Sequence, residues 1–147
     1  MPALLSLLKT IETNSQQLYD CLLLEKQALN ARQYEQLAEL ATQKQNLVDQ
    51  LQALDQQRST SFSGDDFNAF IANSNDPAII QQWDITRDIM RKGQQQNEVN
   101  GRLLNKLSQI NQDVIEILSG REKQASQTYN AQGEKDNSSS MLNGIKA

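Results

Sequence analysis

Apolar side chains recur at alternating steps of three and four residues from Leu4 to Arg58, with Leu8, Ile11, Leu18, Leu22, Leu29, Leu37, Leu40, Leu47, Leu51 and Leu54 on one stripe. That period marks an amphipathic helix, and no Gly or Pro interrupts the run, so it predicts one long helix over residues 3–58. Ser15, Glu25, Gln33, Lys44 and Arg58 share the seam, and long polar side chains at a packing edge lay their stems on the interface and keep their heads in water. The step from Leu29 through Gln33 to Leu37 is four plus four, a stutter that locally relaxes a supercoil. A stripe of this length needs a partner helix.

Between Ser59 and Asp76 the chain changes to Ser, Thr, Asp, Asn and Gly, which breaks the helix and makes the closed end of a hairpin. Asp65 or Asp66 can cap a short helix at about 65–73 that carries Phe67, Phe70 and Ile71 on one side and plugs that end. Asp76 followed by Pro77 is a helix start, because the carboxylate accepts from exposed amides and Pro at the first helical position gives up only an unused donor. The second long helix, predicted over 77–119, has two apolar blocks, Ile79 to Met90 and Leu103 to Leu118, separated by a polar waist from Arg91 to Arg102.

Folded back antiparallel, the second helix sets Trp83 near Leu51, Leu104 near Ala31 and Leu118 near Leu18, so both apolar blocks meet the stripe. Gly101 then falls near Tyr34, where a missing side chain allows close approach, and Asn97 and Asn100 flank that point and fix the hairpin register. This pairing leaves the first segment opposite the tail. Leu4, Leu8 and Ile11 are therefore either an ordinary packing stripe or an apolar surface awaiting another chain, and they form one half of the candidate substrate surface. Residues 121–147 carry few large apolar side chains and are expected to form a mobile tail outside a hairpin domain of residues 1–120. Within the tail, Met141, Leu142 and Ile145 can present one face of a short helix to a partner and form the other half.

Composition narrows the class. Of 147 residues 37% are hydrophobic and only 5% aromatic, which suits an elongated, coiled-coil-like all-α bundle better than a large globular core. The net charge of -4, with both signs scattered, argues against a nucleic-acid surface. Lys9 and Glu12 interrupt the first apolar run well short of a membrane span or a secretory core, so a cytoplasmic protein without membrane insertion is expected. One cysteine, Cys21, and no histidine leave no internal disulfide, Cys/His zinc site or His-based triad. Asp65, Asp66 and Asp76 are explained by capping, and no Gly-rich loop with a following Lys offers a nucleotide site. No enzyme activity, cofactor or metal is expected.

Taken in order, the segments Glu25-Lys26-Gln27-Ala28-Leu29, Asn97-Glu98-Val99-Asn100-Gly101-Arg102-Leu103-Leu104, Ile117-Leu118-Ser119-Gly120 and Thr128-Tyr129-Asn130-Ala131-Gln132-Gly133 resemble the FlgN-type flagellar export chaperones. The resemblance spans nearly the whole chain. It implies a cytoplasmic chaperone that holds C-terminal helical segments of hook-filament junction proteins unassembled and presents them to a flagellar export gate component. It also implies that the C-terminal part engages substrate and that Tyr129 contacts the gate. The alternative from the residues is a self-assembling coiled-coil structural or adaptor protein, because a thin two-helix core with exposed leucines also suits a weak homo-oligomer.

Overall fold

A computed structural model describes residues 2–62 and 66–119, with side chains as far as residue 112. Four helices make up these residues, α1 (Pro2–Ala31), α2 (Tyr34–Ser61), α3 (Phe67–Asn73) and α4 (Pro77–Ser119), with no strand among them. The protein is all-α with hairpin-like packing, as the periodicity predicts.

The single helix expected over residues 3–58 is two helices. Arg32 takes a left-handed conformation with φ of 56°. Its amide donates to the carbonyl of Leu29 at 3.2 Å and the amide of Gln33 to that of Ala28 at 2.9 Å. These two bonds form a Schellman turn, which usually places Gly at the left-handed position and here uses Arg. A non-Gly residue there costs about 1–2 kcal/mol, and all the bonds that hold the turn are main-chain. The sequence therefore marks the turn only by the stutter around Gln33. α2 restarts without a side-chain cap from Gln33.

After the turn α2 runs back along α1. Asn14 Nδ2 lies 3.5 Å from Gln50 Oε1, Lys44 Nζ lies 3.6 Å from Glu25 Oε1, and the Cys21 thiol faces the Leu40 carbonyl at 3.7 Å. α4 packs on α1 in the opposite sense to that expected. Thr86 meets Leu8, and Asn100 meets Leu22, each 78 residues further along the chain, so α1 and α4 are parallel at constant register. The antiparallel pairings of Trp83 with Leu51 and of Leu118 with Leu18 are thereby replaced. α1 packs along both neighbours, while the backbones of α2 and α4 do not approach each other, and α1 is the central helix.

Three apolar clusters follow the length of α1. Leu7, Ile11, Leu18 and Leu22 pack with Val48, Leu51 and Met90, and toward the turn Cys21 and Ala28 pack with Leu40. At the other end Leu4 and Leu8 pack with Ile71, Ile79 and Trp83 beneath Phe62, Phe67 and Phe70. α3 closes that end. Asp66 Oδ1 caps it by accepting from the Ala69 amide at 3.2 Å, and Trp83 Nε1 donates to Asn68 Oδ1 at 2.7 Å. The Phe67 ring meets Trp83 edge-on at 4.9 Å. Arg58 is buried, paired with Asp55 at 2.9 Å, and places its guanidinium 4.6 Å from the Phe67 ring centroid, which ties the end of α2 to α3. α4 starts as its sequence demands, with Asp76 Oδ1 accepting from the Ala78 amide at 3.0 Å ahead of Pro77.

The turn supplies a stability prediction. Arg32 is exposed and strained, so Arg32→Gly is expected to stabilise the fold by about 0.5–1 kcal/mol in urea unfolding, net of the greater freedom Gly gives the unfolded chain. A loss of stability would contradict the left-handed turn.

Candidate binding surface on α4

The inward stripe of α4 changes chemistry along its length. Near its start Ile79, Trp83 and Met90 are buried apolar residues, with Thr86 fully enclosed among them. Thr86 Oγ1 lies 3.2 Å from the Leu8 carbonyl oxygen and 2.8 Å from that of Gln82, while Gln82 Nε2 donates to Glu12 Oε1 at 2.7 Å. A buried hydroxyl and amide thus reach α1 with their polar atoms satisfied, which makes the parallel register specific as well as stable.

Gly93, Asn97 and Asn100 continue the buried stripe through the waist. Asn100 is 2% exposed. Its Nδ2 donates to the main-chain carbonyl of Leu22 at 2.8 Å and to Glu25 Oε1 at 2.9 Å, and its Oδ1 accepts from Gln96 Nε2 at 2.9 Å. Glu25 also pairs with Lys44, so one asparagine joins α4 to both helices of the α1–α2 hairpin. The sequence singles out Asn97 and Asn100, and both are buried. Tyr34, expected beside them, is 57% exposed, and a Cβ built on Gly101 would meet nothing within 4 Å. The close approach between Tyr34 and Gly101 is absent, because α2 runs antiparallel to α1 and carries Tyr34 on the outside of the turn.

Beyond Asn100 the burial ends. Among residues 101–112 none is buried, although Leu103 and Leu107 are half-buried and Leu104 and Ile110 are each 40% exposed. With the register fixed at 78, the last residue of α1 lies level with residue 109. α4 therefore projects about 15 Å past the end of its partner. The three-four apolar spacing continues through Val114 and Ile117 in the sequence. The antiparallel pairing would set this block against Ala31 and Leu18; in the parallel register its first part lies level with Glu25 to Ala31 of α1, and only the helix beyond residue 109 is without a partner helix among the described residues.

Leu4, Leu8 and Ile11, the expected substrate contacts in α1, are 0%, 0% and 1% exposed beneath α3 and the start of α4. Burying a Leu or Ile is worth roughly 1.5–3 kcal/mol, so uncovering all three would cost on the order of 5–9 kcal/mol. That is comparable with the whole stability of a small domain. Leu104 and Ile110 on α4, by contrast, are accessible without unfolding. Tyr129, Met141, Leu142 and Ile145 lie outside the described residues.

The described residues hold no group of His, Cys, Asp and Glu able to bind a metal, and no helix long and apolar enough to cross a membrane. Cys21 is buried, and burial, reinforced by the negative charge of Glu25, pushes its thiol pKa up. It serves as a small apolar filler.

A helical hairpin with a third long helix clamped beside it, bearing an open apolar face, defines a protein-binding helical bundle. The FlgN protein family matches residues 1–137, and the chain belongs to that family, whose members are flagellar export chaperones. Searches for individual relatives and for similar solved structures found no match.

The polar clasp predicts a split along α4. Asn100→Ala removes two bonds to α1 from a buried site and is expected to cost about 1–3 kcal/mol. Leu104→Ser, four residues on and exposed, should cost less than about 0.5 kcal/mol. Chemical denaturation of the two variants measures the difference, and equal losses would contradict an uncovered distal α4.

Proposed function

We propose that the protein is a cytoplasmic export chaperone for hook-filament junction proteins, whose C-terminal helical segments lie with their apolar faces on the distal third of α4. The observation that carries this reading is the apolar face formed by exposed Leu104 and Ile110 and half-buried Leu103 and Leu107, on a helix that the Asn100 clasp holds firmly upstream. An amphipathic helix binds such a face through anchors at three-four spacing, and covering it keeps the substrate from pairing with its own kind. Met141, Leu142 and Ile145 add a second apolar segment that closes over the substrate, and Tyr129 contacts the export gate component during delivery. Ordering a segment on binding costs about 2–5 kcal/mol of the gross interaction energy, which keeps the complex releasable.

The variant Leu104→Asp/Ile110→Asp tests the surface without disturbing the core. Its affinity for a synthetic C-terminal helix of a hook-filament junction protein, measured by calorimetry, should fall at least about tenfold while helicity and melting temperature hold. Unchanged affinity would rule out α4 as the docking face.

A further inference from the structure

On the side of α1 away from α4, the α1–α2 hairpin carries an apolar groove that the proposed substrate surface does not use. Asp20, Cys21 and Leu24 of α1 and Gln43 and Leu47 of α2 line it, around a cavity of about 410 Å³. Leu24 lies about 200° round the helix from Leu22, which meets Asn100 of α4. It is 44% exposed at the mouth, beside buried Cys21 and half-buried Leu47. A groove of that size takes two or three aliphatic side chains, at the small end of the roughly 300–1,000 Å³ of ligand sites.

Charge selects among occupants. Asp20 stands on the rim, and Glu39 lies one turn before Gln43 on α2. Lys44, the nearest cation along α2, turns the other way and pairs at 3.6 Å with Glu25, which faces Asn100 of α4. The groove therefore suits a short apolar helix face with a cation beside it. Met141, Leu142 and Ile145 share one face at helical spacing, and Lys146 follows Leu142 by one turn. The described distal part of α4 gives that cation less, because Lys106 stands between Leu103 and Ile110, and Glu98 is already paired with Arg102 at 3.7 Å. Length permits the contact. At the offset of 78 Leu24 is level with Arg102, so the groove lies about 26 Å back along the axis from Ser119 and about 20 Å across, two helix diameters. Residues 120–140, between Ser119 and Met141, span up to about 70 Å when extended.

We propose that, without substrate, the segment from Met141 to Lys146 of the same chain docks in the α1–α2 groove, with its apolar face on Leu24 and Leu47 and Lys146 beside Asp20. The docking rests on the groove and on the chemistry of that segment, whereas its release by substrate rests on the function proposed above. That function draws the same segment over a substrate helix on α4. Groove and substrate therefore compete for it, and the segment stays off α4 until substrate arrives.

Disulfide trapping in the full chain reads the docked state. In a Cys21→Ala background, Gln43→Cys/Leu142→Cys should close an intramolecular disulfide in glutathione buffer at least about tenfold faster than Lys106→Cys/Leu142→Cys, which samples the distal α4 face. Leu24→Asp, at an exposed position, should slow the Gln43 pair by about tenfold. Asp20→Lys should slow it by about threefold, and Asp20→Lys/Lys146→Asp should restore it. Equal or faster closure at position 106, a Gln43 rate unmoved by Leu24→Asp, or linkage between two chains at a rate that follows protein concentration would overturn the proposal. Addition of a synthetic C-terminal helix of a hook-filament junction protein separates the two readings. Peptide binding that slows the Gln43 pair supports both, and binding that leaves its rate unchanged refutes the release by substrate. Peptide capture by a chain whose Gln43 pair closes no faster than the Lys106 pair removes only the docking. A fast Gln43 pair in a chain that does not bind the peptide supports the docking and counts against the chaperone assignment.

Discussion

Everything distinctive about this bundle depends on how α4 is held against α1. The two helices run parallel, and two polar contacts at the same offset fix them, Thr86 at the carbonyl of Leu8 and Asn100 at the carbonyl of Leu22. A seam of leucines alone is degenerate, because sliding by a turn replaces one Leu with another at little cost. A buried hydroxyl or amide is not degenerate, since displacing it from its partner leaves an unsatisfied polar group in the core. Those contacts therefore settle where α4 stops being covered, and with it which apolar residues remain open.

Parallel packing of α1 and α4 follows from the turn at Arg32. Because the chain reverses there, α2 carries it back to the end where it began, and α4 must leave that end alongside α1. The aromatic and apolar plug of Phe67, Phe70, Ile71 and Trp83 sits where the chain makes this second reversal, over Leu4 and Leu8. Buried core and exposed apolar side chains are thus separated along α4. The plugged end is the most completely buried, burial of α4 ends past Asn100, and beyond residue 109 α4 extends past the end of α1.

Much of this was legible in the sequence. The three-four period gives all-α, and Asp66, Asp76 and Pro77 place the starts of α3 and α4 because capping is local chemistry. The turn at Arg32 was not, since it is built from main-chain bonds around a residue that ordinarily stays in a helix, and only the stutter at Gln33 hints at it. Missing that turn reversed the direction of α4 relative to α1. With that direction reversed, Leu4, Leu8 and Ile11 are buried where the antiparallel pairing leaves them open, and Leu104 is exposed where that pairing covers it. Asn100 was recognised as a register residue, yet its partners are Leu22 and Glu25 rather than the neighbourhood of Tyr34.

Docking of substrate on α4 beyond Asn100, as proposed, and docking at the start of α1 leave different marks on the chain. Amide hydrogen exchange of the full chain with and without the C-terminal helix of a hook-filament junction protein reads both segments at once. Slowed exchange within residues 101–119, with Leu4 to Ile11 unchanged, is the predicted result. Protection confined to Leu4 to Ile11, or faster exchange there as α3 lifts away, would contradict it.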